Sequence, residues 1–396
     1  MQSTCIIGGG PAGIMLGLLL ARAGLPVTVL EKYADFFRDF RGDTIHPSTL
    51  QVLDELGLFD RFLELPHSQV GGLSAIVGGR KIQMSDFSHL PTRAKFIALM
   101  PQWDFLNFLS SEAARYPSFT LRMGWEATDL IQRDGSTTGV CVKSPEGPVE
   151  IAADLVVGCD GRHAISRAAG HLPVVDEGVP IDVLWFRLAR QSSDPENALG
   201  YVDYGRLVIL INRNDYFQVG YLISKGDFPA IQQRGVAEFR RSLEQIVPFL
   251  SGRTEEIDSW DKVKLLTIQV NHLERWSSPG LLCIGDAAHA MSPVGGIGIN
   301  IALQDAVASA NILAEPLRTG SLTRYELEHV QHYREGAVRN TQRMQLVAHR
   351  LLNRVLHSSG ALQPPWLLRL ATSLPGFQQM VGRFIGMGLQ PEHVEV

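Results

Sequence analysis

Apolar residues form short unbroken blocks at three widely separated places, and each block ends in a turn built from glycine or aspartate. Thr4–Ile7 carries no charge and gives way to Gly8-Gly9-Gly10-Pro11. Residues 154–161 repeat the pattern, ending at Cys159-Asp160-Gly161. Leu281–Ile284 repeat it again before Gly285-Asp286. Blocks of this length bounded by turn residues predict buried strands of a parallel sheet. Between the first two lies a helix-like run to Ala23, closed by Gly24, and a second buried strand, Leu25–Leu30, ending at Glu31.

Other stretches follow different periods. Residues 71–100 and 181–269 hold runs rich in Val, Ile, Tyr and Phe, such as "RLVILINRN" and "YFQVGYLIS", separated by turn residues. They predict antiparallel strands. Residues 235–251, 301–315 and 323–357 predict helices, and the last forty residues predict short ones. No internal repeat and no low-complexity linker interrupts the chain.

Composition narrows the picture. A chain of 396 residues, 45% hydrophobic, is long enough for two domains or one large α/β unit. The net charge of −5 comes without a basic block, which removes the expectation of a nucleic-acid or anionic membrane partner. Four cysteines lie far apart with no CxxC or Cys/His cluster, so they predict buried strand residues and no metal site. From Cys5 to Leu30 the only charge is Arg22, but the early Gly-Gly-Gly-Pro breaks any signal-peptide reading. No other stretch reads as a bilayer span. The expectation is a cytoplasmic protein.

The first block carries recognisable chemistry. Gly8, Gly10 and Gly13 make G-x-G-x-x-G between a strand and a helix that starts at Pro11 and Ala12. Gly8 allows the tight turn, Gly10 lets a pyrophosphate approach the backbone, and Gly13 lets helix and sheet pack closely. The helix N-terminus faces the phosphates. Glu31, 18 positions beyond Gly13 and followed by Lys32, suits free ribose hydroxyls over a 2′-phosphate. A dinucleotide site follows. Three fingerprints spread from residue 8 to residue 300 point to one long ligand threaded through the core.

The set G-x-G-x-x-G, "CDG" and "GDAAH…P-x-G-G-x-G-x-N" resembles the single-component (group A) flavoprotein monooxygenases, the p-hydroxybenzoate hydroxylase-like family, over residues 3–345. The resemblance implies an α/β fold: a Rossmann-like FAD-binding domain of GR2 type interleaved with a mostly antiparallel β-sheet substrate domain, plus C-terminal helices. FAD-domain pieces would be 1–70, 101–180 and 270–345. The substrate domain would be 71–100 and 181–269, with 346–396 a C-terminal helical segment. The cofactor implied is FAD, with NADH or NADPH as transient co-substrate and O2 as oxidant. The activity implied is hydroxylation of an aromatic or polyketide-like small molecule by oxygen activated at the flavin C4a. The alternatives are an FAD-dependent reductase of the geranylgeranyl type, a Baeyer–Villiger-type oxygenase, and a non-enzymatic FAD-stabilised scaffold. The state implied is monomer or homodimer.

The resemblance also assigns residues. Asp286 would bond the ribityl chain, and Asp160 would support FAD and the docking of NAD(P)H. Arg41 and Gln102 would reach the cofactor. Pro293, Gly296, Gly298, Ile299 and Asn300 would lie beside the isoalloxazine, where the helix beginning near Gly298 points its positive end at the N1–C2=O locus. Pro293 and Gly296 are thus expected to contribute to catalysis through the loop backbone. His46 either carries a proton, or caps the helix after Pro47 or contacts the FAD backbone. His289 is read as a structural histidine. On the strands, Tyr201, Tyr216 and Gln218 are substrate candidates, with Trp185, Arg187, Tyr204 and Tyr221 nearby. Alternation puts Tyr216 and Gln218 on one strand face and leaves open which face meets the flavin.

Overall fold

The fold is described from a computed structural model, which describes residues 1–37, 44–195, 199–213, 215–358, 360, 372, 374 and 376–396. Its centre is a six-stranded sheet in the order Ser277–Ser278, Leu281–Cys283, Leu155–Gly158, Thr4–Ile7, Val27–Glu31, Phe119–Met123. All pairings are parallel except that of the two-residue edge strand. Thr4–Ile7, Leu155–Gly158 and Leu281–Cys283 are buried throughout, which is why they read as continuous apolar blocks: the helix Pro11–Arg22 and the strands Glu126–Arg133 and Ser136–Ser144 both pack on this sheet. The helix Pro11–Arg22 packs on this sheet and, on another side, on the helix Gly298–Thr319.

Register sets the site. Ile7 stands opposite both Leu30 and Gly158, and Gly158 stands opposite Cys283. Four strands therefore end level with one another. Their turns, at Gly8, Glu31, Cys159 and Gly285, leave the same edge of the sheet, where open α/β sheets take their ligands.

A seven-stranded sheet forms the second layer, in the order Lys264–Leu266, Ile181–Ala189, Tyr216–Ser224, Arg206–Asn212, Leu199–Asp203, Ser74–Val77, Arg80–Gln83. Only the pairing of Leu199–Asp203 with Ser74–Val77 is parallel. The helix Val236–Ile246 covers one face with Phe239, Leu243 and Ile246. It is shorter than expected: a single 3-10 turn, Pro248–Leu250, replaces its last part because Pro248 lacks the N–H a helix needs.

Two findings depart from the sequence reading. Glu126–Arg133, Ser136–Ser144 and Gly147–Ala152 form an antiparallel sheet that was not anticipated, since its two outer strands are mostly polar and exposed and only the central Ser136–Ser144 is largely buried. By length and composition, Val294–Thr319 does pass as a membrane span, contrary to expectation, but most of it is buried inside the protein, as a core helix must be.

The C-terminal helix Phe377–Met387 is seated by two glycines. A Cβ on Gly382 would lie 2.1 Å from the Asp86 carbonyl oxygen, and one on Gly386 would lie 2.9 Å from Leu90. That close approach brings the chain's end to the face of the helix Pro47–Glu55.

Candidate functional site

The N-terminal turn has the strain its glycines were expected to relieve. Gly8 adopts φ +106°, and a Cβ there would lie 2.4 Å from the Cys159 carbonyl oxygen, so this turn and the Cys159–Gly161 turn touch through backbone. A Cβ on Gly13 would lie 2.0 Å from the Gly8 carbonyl oxygen, while one on Gly10 would meet nothing within 4 Å. Open space therefore faces the helix N-terminus, whose first N–H groups have no side-chain cap. Pro11 is the first helical residue, where its missing N–H costs nothing. Glu31 Oε2 accepts the Gly9 N–H at 3.0 Å, and Oε1 accepts the Tyr33 N–H at 3.1 Å. The carboxylate is thus held against the glycine turn. Lys32 lies over the Tyr33 ring at 5.1 Å.

The second and third turns are fastened by their own acids. Asp160 accepts from Ser166 twice, from the backbone N–H at 3.0 Å and from the hydroxyl at 2.6 Å. Burial pushes its carboxyl up, against the hydrogen bonds from Ser166. It caps the short helix Ile165–Ala169 from outside and holds the turn in shape. Asp286 is half exposed and pairs with Arg162 Nε at 3.4 Å. Close packing of the first and third turns explains Ala12: a Cβ on Gly285 would lie 3.3 Å from that of Ala12 and 3.2 Å from that of Ala302. Gln102 opens the helix Gln102–Ala113. Arg41 lies outside the described residues.

The glycine-rich loop is held from the side of residues 44–49. Gly295 and Gly296 adopt φ +83° and +65°. A Cβ on Gly296 would lie 2.4 Å from Thr44 Oγ1 and 3.3 Å from His46 Nε2. Thr44 Oγ1 donates to the Gly296 carbonyl at 3.1 Å. Pro293 precedes this turn, and the helix starting at Gly298 carries Ile299 and Asn300, both buried. Asn300 Oδ1 accepts from the His46 N–H at 3.3 Å and from Thr49 Oγ1 at 2.7 Å.

His46 is defined by its tautomer. Nδ1 lies 2.7 Å from the Ile385 carbonyl, which only accepts, so the ring proton sits on Nδ1. Nε2 is then a bare acceptor, fully buried and without a partner among the described residues. Asn300 Nδ2 is likewise a buried donor without a partner. Burial pushes the imidazole pKa down to about 4, against the hydrogen bond to Ile385, so the ring is neutral at pH 7. His46 stands at the N-cap position of Pro47–Glu55, but its side chain makes no cap bond.

Sequence reasoning missed the ionic cluster behind these turns. Asp305 and Arg334 are both 0% exposed. Asp305 Oδ2 accepts the Gly285 N–H at 3.1 Å and meets His289 Nε2 at 2.5 Å, while Oδ1 accepts from Arg334 Nε at 3.1 Å. Arg334 also donates to Gln304, to the Gln390 carbonyl and to Glu392. Burial pushes the Asp305 carboxyl up, but the His289 and Arg334 charges and their hydrogen bonds outweigh it and hold it below the usual range. His289 is thus structural, packed against Trp276 at 4.9 Å between ring centres. A charged pair at 305 and 334, each inside a helix of apolar period, was the available signal.

The strand candidates separate by face. Directly opposed residues share a face, so Arg187 with Gln218 and Ala189 with Tyr216 lie together. Tyr216 and Arg187 line a cleft of about 340 Å³ with Trp103, His67, Phe37 and Arg213, and the Arg187 guanidinium lies 4.9 Å from the Tyr216 ring centre. Tyr201 lies on the other face, packed on Phe249 under the helix layer, as does Tyr221 on Phe239. Pro66, His67, Ser68, Leu99, Pro101 and Trp103 close the cleft opposite the strand residues, Ser68 and Leu99 standing in a separate antiparallel sheet.

Comparison with known proteins agrees with this geometry. The family described as "FAD binding domain" matches residues 1–340. The chain is 29% identical over 391 residues to 6-methylpretetramide 4-monooxygenase of Streptomyces rimosus, covering 96% of this chain and 91% of that protein. It is 26% identical over 328 residues to p-hydroxybenzoate hydroxylase of Acinetobacter baylyi, covering 80% of this chain and 78% of that one. The solved structure of anhydrotetracycline hydroxylase from Streptomyces rimosus shares the fold, with a TM-score of 0.76 at 22% identity over 97% of this chain and 75% of that one.

Proposed function

The chain belongs to the FAD binding domain family, and from that premise we propose that it hydroxylates a fused-ring aromatic, polyketide-like molecule at the expense of NADH or NADPH and O2. It is an FAD-dependent monooxygenase. The substrate class rests on the relative named for 6-methylpretetramide, which the chain matches over nearly its whole length.

One observation carries the cofactor reading: three glycine or aspartate turns, far apart in sequence, leave one sheet edge and enclose a strip of open backbone. The residues present fit FAD. Gly10 leaves room for a pyrophosphate over an uncapped helix N-terminus, and Glu31 is held where a ribose would end. At the far end an acceptor, His46 Nε2, and a donor, Asn300 Nδ2, both unpaired among the described residues, are buried beside the glycine loop. Buried polar atoms without partners are rare, and a flavin ring edge offers both complements.

Gly8, Gly10, Gly13, Glu31, Gln102, Asp286 and the loop Pro293–Asn300 would hold FAD, with Asp160 holding the second turn. When bound, FAD accepts reducing equivalents from NAD(P)H and activates oxygen for transfer to the substrate. The protein's part is to orient and exclude water. His46 holds a neutral ring with its lone pair aimed at the loop, and stays an acceptor across the neutral range. Tyr216 and Gln218, on the cleft-side face, are the substrate-contact residues of this reading, with Trp103 across the cleft.

The test is direct. The purified chain, yellow with FAD, is offered NADH or NADPH and a panel of polycyclic phenols under 18O2. The expected product is heavier by one labelled oxygen. NAD(P)H oxidation indifferent to every aromatic, with no label in product, would remove the monooxygenase reading.

A further inference from the structure

The helix Arg324–Leu356 turns a row of polar side chains inward: Thr341, Gln342, Gln345 and His349 are all buried. Helix positions packed only for burial would be apolar, since a buried polar side chain costs free energy unless it is hydrogen-bonded. Here the row is bonded to backbone. Gln342 Nε2 donates to the carbonyls of Asn271 at 2.9 Å and Ala290 at 3.1 Å. Gln345 Oε1 accepts the Ser292 N–H at 3.1 Å, and its Nε2 donates to the carbonyls of Ser292 at 3.0 Å and Val294 at 3.1 Å. His349 Nε2 meets Ser292 Oγ at 2.6 Å, and that hydroxyl oxygen accepts the Val294 N–H at 3.1 Å.

All of this ends where the glycine loop begins. Residues 292 and 294 are clamped through five hydrogen bonds, and the next two residues, Gly295 and Gly296, have left-handed backbone. A fixed post followed by a bend presents Gly298–Asn300 in one orientation. We propose that Gln345 and His349 are positioning residues for the flavin-facing loop, acting through Ser292–Val294, so that a helix outside the three fingerprints sets the cofactor's environment. This rests on the FAD reading above. His349 keeps one polar atom, Nδ1, buried without a partner, a cost that an apolar residue at this position would not carry.

The experiment uses the purified full chain and three variants: Gln345→Leu, which removes three bonds at similar size, His349→Leu, and His349→Gln, which can restore a bond to Ser292. Amide hydrogen exchange of the 290–298 peptide is read beside the midpoint potential and dissociation constant of FAD. Gln345→Leu is expected to speed exchange in 290–298 at least tenfold, leave residues 4–14 unchanged, weaken FAD at least tenfold and shift its potential. His349→Leu is expected to do the same to a smaller degree, with His349→Gln recovering most of it. Unchanged exchange in 290–298 would overturn the clamp. Faster exchange with unaltered FAD affinity and potential would overturn its role toward the flavin. If Gln345→Leu does not fold, Ser292→Ala removes the His349 link together with the Val294 N–H bond to the same hydroxyl, and carries the same expectation. A wild-type chain that binds no FAD would sink the functional reading, whereas the exchange data would still decide the clamp.

Discussion

Acid should weaken this protein through its buried neutral imidazoles, and His46 isolates one of them. Its folded pKa is about 4 against a reference of 6.5, because burial disfavours the charged ring. A depressed folded pKa means that the unfolded chain takes up the proton first. The stabilising contribution is complete above pH 6.5 and is lost as the pH falls toward 4. A gap of about 2.5 units corresponds to about 3.4 kcal/mol in all, of which roughly 1.8 kcal/mol disappears between pH 7 and pH 5. His349, also lowered to about 4 by burial, contributes a similar loss. His46→Gln keeps an amide donor for the Ile385 carbonyl but takes up no proton. Urea unfolding at pH 7, 6 and 5 should therefore show the variant losing about 1.8 kcal/mol less than wild type over that range. A variant whose loss matches wild type within about 0.5 kcal/mol would refute the reasoning, because His46 would then titrate as an exposed histidine does.

Three further substitutions test other parts of the site. Gly13→Ala puts a methyl 2.0 Å from the Gly8 carbonyl oxygen, so the helix must move off the sheet; the purified protein should lose its flavin absorbance at least tenfold relative to protein. Gly296→Ala places a Cβ at φ +65° and 2.4 Å from Thr44 Oγ1, and should weaken FAD about tenfold while costing about 1–3 kcal/mol, measured by fluorescence titration and unfolding. Arg334→Met leaves Asp305 and Glu392 buried with one cation fewer, and should destabilise by about 3–5 kcal/mol in urea unfolding at pH 7.

Glycine demands were legible because they are local. The turn at Gly8 and the close approach at Gly13 each follow from backbone that tolerates no side chain, and the structure has both. The fully buried strands were legible for a related reason: with both faces covered there is no alternation to misread. The strands of residues 126–152 were not, since their polar outer positions hide the pattern.

Pairings between distant residues were invisible in one dimension. Nothing near His46 says that its Nδ1 meets the carbonyl of Ile385, and that contact alone decides which ring nitrogen is the acceptor. Nothing at Gln345 announces a bond to Ser292, because a glutamine on a helix is ordinarily solvated. Tyr201 and Tyr216 look alike on their strands, yet the sheet separates them. Period-two alternation sorts side chains into two sets and is symmetric between them. Which set meets the cleft depends on what packs on each face. Sequence by itself determined the dinucleotide turns, a short-range steric requirement, and the buried strands of the core, a property of unbroken apolar blocks. Only the tertiary structure decided the tautomer of His46, the clamp on the loop and the face that lines the cleft, since each depends on how segments far apart in the chain come to lie against one another.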